Sequence, residues 1–292
     1  MFRIFTDTPA NLPKEYIREH GLSVIPLSYL VNGEEHTETV GDASFDAAAY
    51  YQMQRDGNVI STSQIPPQRF HDAFSPVLAQ GEDILFVSIS SGVSGSFQSA
   101  EIAATELREE FPERKLLVIN TLAASLGEGL SVMRAVALRD QGKTIDETAE
   151  ALLAMRPNVC QLLMVDDLMY LRRTGRVSGA SAIVGTLLGV KPLLKGNSDG
   201  QLVVAEKIRG RARAIRAMAE RYRLYAENAQ EQTVCIAHAD CAKDAEMLAG
   251  LIREANPPKE VLVVCYEPVT GSHTGPDALA LFFLGGSDVR NK

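Results

Sequence analysis

Ile84–Leu107 reads ILFVSISSGVSGSFQSAEIAATEL, and the fold class follows from it. Ile84–Ile89 is a short apolar run rich in β-formers, long enough for a buried strand. Ser90–Ser96 then turns the chain with four serines and two glycines. From Ser96 onward Phe97, Ala100, Ala103, Ala104 and Leu107 recur at helical spacing. The stretch predicts strand, small-residue loop and helix. Such a loop offers hydroxyls and backbone N–H groups at a helix N-terminus, whose partial positive charge suits an anion. The same serines can instead cap the helix and close a βα turn, and both readings stay open on these residues alone.

Working outward, the alternation continues on both sides. Phe2–Thr6 predicts a first strand, ending in the polar loop Thr6-Asp7-Thr8-Pro9. Asp7 falls at the carboxyl end of a predicted central strand, the edge where open α/β sheets place ligands. It reads equally as a turn or capping carboxylate. Pro13 opens a helix through Arg18, stopped by Gly21. Leu22–Val31 is a second strand-like run before an Asn32-Gly33 turn, and Ser44–Gln54 predicts a helix. Thr62-Ser63-Gln64 precedes Ile65-Pro66-Pro67, whose prolines impose a rigid extended loop that fixes the two hydroxyls. Gln68–Leu78 predicts a helix interrupted or bent by Pro76. Beyond the opening stretch come a strand at Lys115–Ile119, a second small-residue loop at Asn120–Gly127 and a helix at Leu130–Leu138. Thr144–Met155 is a helix with Thr144 and Glu147 placed as a capping box. Strands alternating with helices predict an open, mostly parallel sheet with flanking helices.

Arg156-Pro157-Asn158 marks the expected boundary between an N-terminal α/β domain, 1–157, and a C-terminal α+β domain, 158–292. In the second half a strand at Gln161–Val165 leads to Asp166–Leu171, then Arg172-Arg173-Thr174-Gly175-Arg176, then an apolar small-residue helix at 178–188. Lys191–Lys195 and Leu202–Glu206 flank the hairpin signal Asn197-Ser198-Asp199-Gly200. A basic helix at Arg211–Tyr225 puts Ile215, Met218, Tyr222 and Tyr225 on one face. Strand, helix and strand follow at Thr233–Ala237, Asp244–Arg253 and Glu260–Tyr266. Val269–Pro276 reads as a Gly-rich loop around His273, followed by the apolar run Ala278–Leu284.

Composition narrows the function. The 292 residues carry 29 Lys and Arg against 37 Asp and Glu, a net charge of −8, which argues against a nucleic-acid binder. The four cysteines, at 160, 235, 241 and 265, have no zinc spacing; Cys160, Cys235 and Cys265 lie in or beside apolar runs and read as buried thiols, and the chain reads as a reduced, cytoplasmic protein. The N-terminal apolar run is too short for a signal peptide, and no run approaches a membrane span. Neither a P-loop nor a dinucleotide fingerprint is present, so the chain shows no nucleotide site. Ser94 lacks the spacing of a nucleophile elbow. His273 is flanked by glycines and could serve as a general base or simply as a satisfied loop residue. Three hydroxyl-rich loops and one histidine are donors suited to a carboxylate, with no nucleophile required.

Five segments, in order, resemble the bacterial DegV family of fatty-acid-binding proteins. They are Thr6-Asp7-Thr8 to Leu12-Pro13; Thr62-Ser63-Gln64 with its prolines; Ser90–Ala100; Asp167–Leu171 to Gly175-Arg176-Val177-Ser178-Gly179; and Gly271–Pro276 with Phe282-Phe283-Leu284-Gly285. The resemblance implies two α/β domains with a fatty acid in an apolar tunnel between them and no other cofactor or metal. It places the carboxylate on Thr62, Ser94 and His273, with Ser63, Gly95 and Thr274 beside them. It also implies a carrier, not an enzyme, that presents the carboxylate to a separate ATP-using fatty acid kinase subunit. Arg176 and Arg209 match family arginines that, in kinase-linked members, are candidates for the partner surface. The chain departs from the family's usual residues at Thr8-Pro9, Ile65-Pro66-Pro67 and Asn120-Thr121-Leu122. Two other readings fit the same residues. One is a Ser94/His273 hydrolase or small-carbonyl enzyme, as in the dihydroxyacetone kinases that resemble the family in fold. The other is a regulatory lipid sensor without a kinase.

Overall fold

The structure is a computed structural model and describes residues 2–37, 45–177 and 189–292. In chain order the elements are β1 (Phe2–Asp7), α1 (Lys14–Glu19), β2 (Ser23–Ile25), β3 (Ser28–Val31), β4 (Glu34–Thr37), α2 (Ala47–Arg55), β5 (Ile60–Ser63), α3 (Pro67–Ala79), β6 (Asp83–Ser88) and α4 (Ser96–Glu110). Then come β7 (Leu116–Asn120), α5 (Leu126–Asp140), α6 (Ile145–Met155), β8 (Val159–Met164), α7 (Met169–Arg173), β9 (Val190–Gly196), β10 (Leu202–Arg209) and α8 (Arg211–Tyr225). The chain ends with β11 (Thr233–His238), α9 (Ala242–Ala255), β12 (Glu260–Cys265), α10 (Pro268–Thr274) and β13 (Leu279–Leu284). It divides into two units, Met1–Ala43 with Thr62–Arg156, and Ser44–Ser61 with Pro157–Lys292.

In the first unit a parallel sheet has the order β2-β1-β6-β7, with Ile4 opposite Leu85 and Leu85 opposite Leu117. β6 is buried along nearly its whole length, as its unbroken apolar run requires in a sheet covered on both faces. Phe70 and Phe74 of α3 pack on Phe86, and Ala100, Ala103, Ala104 and Leu107 of α4 are fully buried. Asp7, Ser88 and Asn120 end β1, β6 and β7, so the polar loops that follow leave the sheet at its carboxyl edge. The capping box is formed: Thr144 Oγ1 accepts from the Glu147 N–H and Glu147 from the Thr144 N–H.

The run Leu22–Val31 does not form one strand. It breaks at Pro26-Leu27 into β2, parallel to β1, and β3, antiparallel to β4, because proline cannot donate to a ladder. β4 carries Glu34, Glu35 and His36, a polar strand with no apolar alternation to announce it. Pro76 lies within α3, which continues through Ala79. Ser44 of the predicted helix Ser44–Gln54, and the whole apolar helix expected at 178–188, lie outside the described residues.

The second unit is built on a mixed sheet, β10-β9-β8-β13-β11-β12. Among its described residues only β11 and β12 pair in parallel; β13 sits between β8 and β11, antiparallel to both. The Asn197–Gly200 turn joins β9 to β10, with Asn197 Oδ1 accepting from the Asp199 and Gln201 N–H groups. The buried face of α8, Ile215, Met218 and Tyr222, packs with Leu248 and Ile252 of α9 on Leu162, Leu281 and Phe283. Asp166 accepts from Lys191 at 2.8 Å and from Arg211 at 2.6 Å, and Arg211 also reaches Asp244 at 2.5 Å. Cys160, Cys235 and Cys241 are buried, and burial pushes the Cys160 and Cys241 thiols up to about 12. Among the described residues no helix is long and apolar enough to cross a membrane, and no group of metal-ligating side chains is assembled.

Candidate functional site

In the first unit β6 delivers the chain into the serine loop. The Ser90 N–H donates to Ala123 O at 2.7 Å, and the Val93 and Ser94 N–H groups return to Ser90 O, so the loop closes on itself before α4 begins. Ser90 Oγ accepts from the Gly92 N–H at 3.0 Å. Asn120 joins this loop to its neighbour. Its Oδ1 accepts from the Ser91 and Leu122 N–H groups, and its Nδ2 donates to Ser91 Oγ at 2.7 Å. An aspartate there could only accept, so the asparagine contributes a donor that a carboxylate lacks.

Ser94 and Gly95 precede the first turn of α4. Ser94 Oγ accepts from the Ser96 N–H at 3.2 Å and donates to Ser96 Oγ at 3.0 Å. A serine hydroxyl has two lone pairs and one rotatable proton, so Ser94 can turn its O–H toward a ligand and still accept the amide. Thr62 and Ser63 lie on β5, and the segment after them is tied to the serine loop. Ser96 Oγ accepts from the Ile65 N–H at 3.3 Å, and Gln64 Nε2 lies 3.4 Å from Ser99 Oγ. A Cβ on Gly95 would stand 1.9 Å from Gln64 Oε1, so the loop at 95 accepts only glycine while Gln64 lies there. The first unit thus brings Thr62, Ser63, Ser94 and Gly95 into two interlocked segments. Ser96, with Gln64 and Ile65, does the interlocking; the sequence marked both segments but not the contacts between them.

In the second unit His273 lies on a helix, where the sequence predicts a Gly-rich loop. Three local features make Pro268–Thr274 helical. Pro268 occupies the first turn, where its missing N–H costs nothing. Glu267 caps the helix, accepting from the Thr270 N–H at 2.7 Å and also from the Val269 N–H. Gly275, at φ 75, ends it in a conformation that favours glycine. α2 holds this helix: Tyr51 Oη donates to Tyr266 O at 3.1 Å and Tyr50 Oη to Pro268 O at 2.7 Å. A Cβ on Gly271 would lie 2.3 Å from Tyr51 Oη, and one on Gly275 2.5 Å from the Tyr170 ring.

His273 sits in the last turn beside Thr274, which is buried. Burial, and then the positive charges of Arg176 and Arg173, lower its pKa to about 3. At neutral pH the imidazole is therefore uncharged, one ring nitrogen a donor and the other an acceptor. Arg176 is half-buried, donates to Thr174 O and has its own pKa lowered by burial. Arg209 ends β10 opposite Val190, is exposed, and has no ion-pair partner among the described residues. The second unit thus groups His273 and Thr274 with Arg173 and Arg176, and leaves Arg209 on the surface. Tyr51 and Glu267 have structural roles that sequence spacing did not reveal. His238, on β11, accepts from the Cys241 N–H through Nδ1 at 3.3 Å, and burial lowers its pKa.

Comparison with known proteins places these features in a family. Residues 1–285 match the family model described as "Uncharacterised protein, DegV family". A DegV domain-containing protein of Clostridium perfringens is 38% identical over 284 residues, 97% of each chain. Among solved structures, a DegV family protein of Thermus thermophilus, described by its fatty acid binding, matches 98% of this chain and 99% of its own with a TM-score of 0.88 at 29% identity. DegV of Bacillus subtilis, described as a fatty acid binding protein, matches 98% and 99% with a TM-score of 0.83 at 26% identity. The chain belongs to the DegV family.

The two glycine environments separate packing from intrinsic helix preference. Gly250, on α9, has open space where a Cβ would go, so Gly250→Ala should stabilise the protein by about 0.5–1 kcal/mol. Gly271→Ala meets the buried Tyr51 and should destabilise by about 1–3 kcal/mol despite the same propensity gain. Urea denaturation of both variants checks this; equal effects would remove the packing role assigned to Tyr51.

Proposed function

We propose that the protein binds a long-chain fatty acid. Its carboxylate is held by Thr62, Ser94 and His273, with Ser63, Gly95 and Thr274 beside them, and its tail lies in an apolar tunnel between the two domains. The observation that carries this reading is the likeness to the fatty-acid-binding Thermus protein along 98% of the chain. The donor set supports it. Hydroxyls, helix N–H groups and an uncharged imidazole N–H all donate to an anion, while Arg173 and Arg176 supply positive charge beside His273. A long tail adds about 0.8 kcal/mol for each buried methylene, so such a ligand would be retained tightly.

A hydrolase reading fits less well. A general base works best with a pKa near the operating pH, and an imidazole held at about 3 is a weak base. The finer part of the proposal is that the bound carboxylate is presented to an ATP-using kinase subunit in the cytoplasm, with Arg176 and Arg209 toward that partner. Arg209 is the better probe of the partner surface, because the charge of Arg176 also acts on His273.

Three measurements test these statements. Titration with oleate should show Ser94→Ala with Thr62→Ala binding more weakly, each lost donor to the charged acceptor contributing about 1.5–3 kcal/mol; unchanged affinity would refute the carboxylate assignment. A bound carboxylate favours the imidazolium, so oleate should raise the pKa of His273 in an NMR titration of its ring protons. Without ligand, the lowered value means that the unfolded chain binds the extra proton, so stability from this group is complete above about pH 6.5. It is lost progressively as pH falls toward about 3. Finally, Arg209→Ala should keep oleate affinity while lowering acyl phosphate formation by the kinase subunit; full turnover would remove Arg209 from the partner surface.

A further inference from the structure

α2 belongs to the second unit together with α7 and α10, and its contacts follow α10 from one end to the other. At the start of α10, Tyr50 Oη donates to Pro268 O at 2.7 Å and Tyr51 Oη to Tyr266 O at 3.1 Å. At its end, Gly275 lies against the ring of Tyr170, whose Oη donates to Gln54 O at 3.2 Å. The next residue of α2, Arg55, reaches past that end. Its Nη1 donates to Asp240 Oδ2 at 2.6 Å and its Nη2 to Asp277 Oδ1 at 3.1 Å. Asp277 follows His273 by four residues.

Asp240 lies in the turn between β11 and α9, and Asp277 in the turn between α10 and β13. The two turns are tied to each other. The Asp277 N–H donates to Ala239 O at 2.7 Å, and the Ala239 N–H to Ala278 O at 2.9 Å. Both aspartates have a positive φ, 57° at Asp240 and 63° at Asp277. Residues other than glycine occupy that region sparsely, and such a conformation persists only where its surroundings over-determine it. The cross-bonded backbone and one shared guanidinium do so here.

Arginine suits this position chemically. Its planar guanidinium presents several N–H donors in a fixed fork, so one side chain serves two carboxylates at once, which the point charge of a lysine does not. The cation also stands at the C-terminal end of α2, where the helix dipole favours it. The three side chains are 32–39% exposed, and an exposed ion pair by itself contributes little to stability. The effect of this bridge is geometric. α10 is a helix of seven residues, too short to persist without neighbours, and the bridge closes its frame on the side of His273.

We propose that Arg55 is a positioning residue for the His273 site. By joining Asp240 and Asp277 it fixes the end of α10 against α2, and so sets where the His273 imidazole stands. That the imidazole meets a carboxylate rests on the fatty-acid reading given above; the hold on α10 does not. Arg55 acts through Asp277 and α10 and does not itself touch the ligand.

The experiment compares the wild type with Arg55→Gln, Arg55→Lys and Arg223→Gln. Arg223 forms an exposed pair with Glu220 within α8 at 2.6 Å, so its variant controls for the loss of a surface charge. Two measurements are made without ligand: backbone hydrogen exchange, and the NMR signals of the His273 ring at neutral pH. Exchange over 268–277 should be about threefold to tenfold faster in Arg55→Gln, intermediate in Arg55→Lys and unchanged in Arg223→Gln. The His273 ring signals should move in Arg55→Gln and stay in place in Arg223→Gln. A merely structural role would speed exchange across the whole unit, β11 and β13 included, whereas positioning confines the change to α10 and the two turns.

Unchanged exchange over 268–277 in Arg55→Gln, or a uniform rise across the unit, would overturn the proposal. If Arg55→Gln does not fold, Asp277→Asn, which removes only the arm nearest His273, decides by the same two measurements. Oleate titration of the same samples separates this proposal from the fatty-acid reading, and Arg55→Gln should bind oleate more weakly than the wild type. A wild type that binds no oleate, with α10 loosened in Arg55→Gln, would sink the fatty-acid function and leave the hold on α10 standing. Oleate bound equally tightly by both would do the reverse.

Discussion

The hydrogen bonding of β1, β6 and β7 in one direction is the constraint on which the first unit depends. Because the three strands run parallel, their carboxyl ends, at Asp7, Ser88 and Asn120, open at the same edge. Each strand is followed there by a polar segment whose buried donors and acceptors need partners. The segments supply one another: Ser90 N–H to Ala123 O, Thr121 Oγ1 to Ser88 O, Asn120 to Ser91 in both directions. The loops are therefore ordered by mutual satisfaction of polar groups, which leaves hydroxyls and helix N–H groups gathered at one place. A carboxylate is the kind of ligand such a place accommodates.

The second unit solves a different problem, that of placing a titratable side chain among cations without a charge of its own. Arg173 and Arg176 both act on His273, and with burial they keep its imidazole neutral. The helix that carries it is short and would be marginal in isolation. Tyr50 and Tyr51 of α2 and the Glu267 cap hold it, and Gly271 is the residue that lets Tyr51 approach. Other charges in this unit form ion pairs, as Asp166 does with Lys191 and Arg211. The exposed Arg209 stands apart from that network.

Several elements were legible because their cause is local. Ile84–Leu107 announced strand, loop and helix through an apolar run, small residues and helical spacing, and β6 and α4 fall there. The Thr144–Glu147 cap and the Asn197–Gly200 turn were legible for the same reason. Other elements were not. β4 is polar and exposed, so no apolar alternation marks it, and its place beside β3 comes from the Asn32-Gly33 turn. Pro268–Thr274 looked like a loop because glycine and proline usually break helices, yet here proline starts the helix and a tyrosine fills the space beside its glycine. The pairings of Ile65 with Ser96 and of Gln64 with Ser99 were invisible, because each joins residues far apart in the chain.

By itself the sequence determined the alternating α/β order, the apolar strands, the net acidic balance, and the segments by which the DegV resemblance is recognised. All of these depend on residue type and short spacing. Only the tertiary structure decided that His273 is neutral, that Asn120 links two loops, and that Thr6 meets Glu128 across 122 positions of chain. Burial and partner identity arise when distant segments pack, and they set the protonation and hydrogen bonding of a side chain more strongly than its neighbours in sequence do.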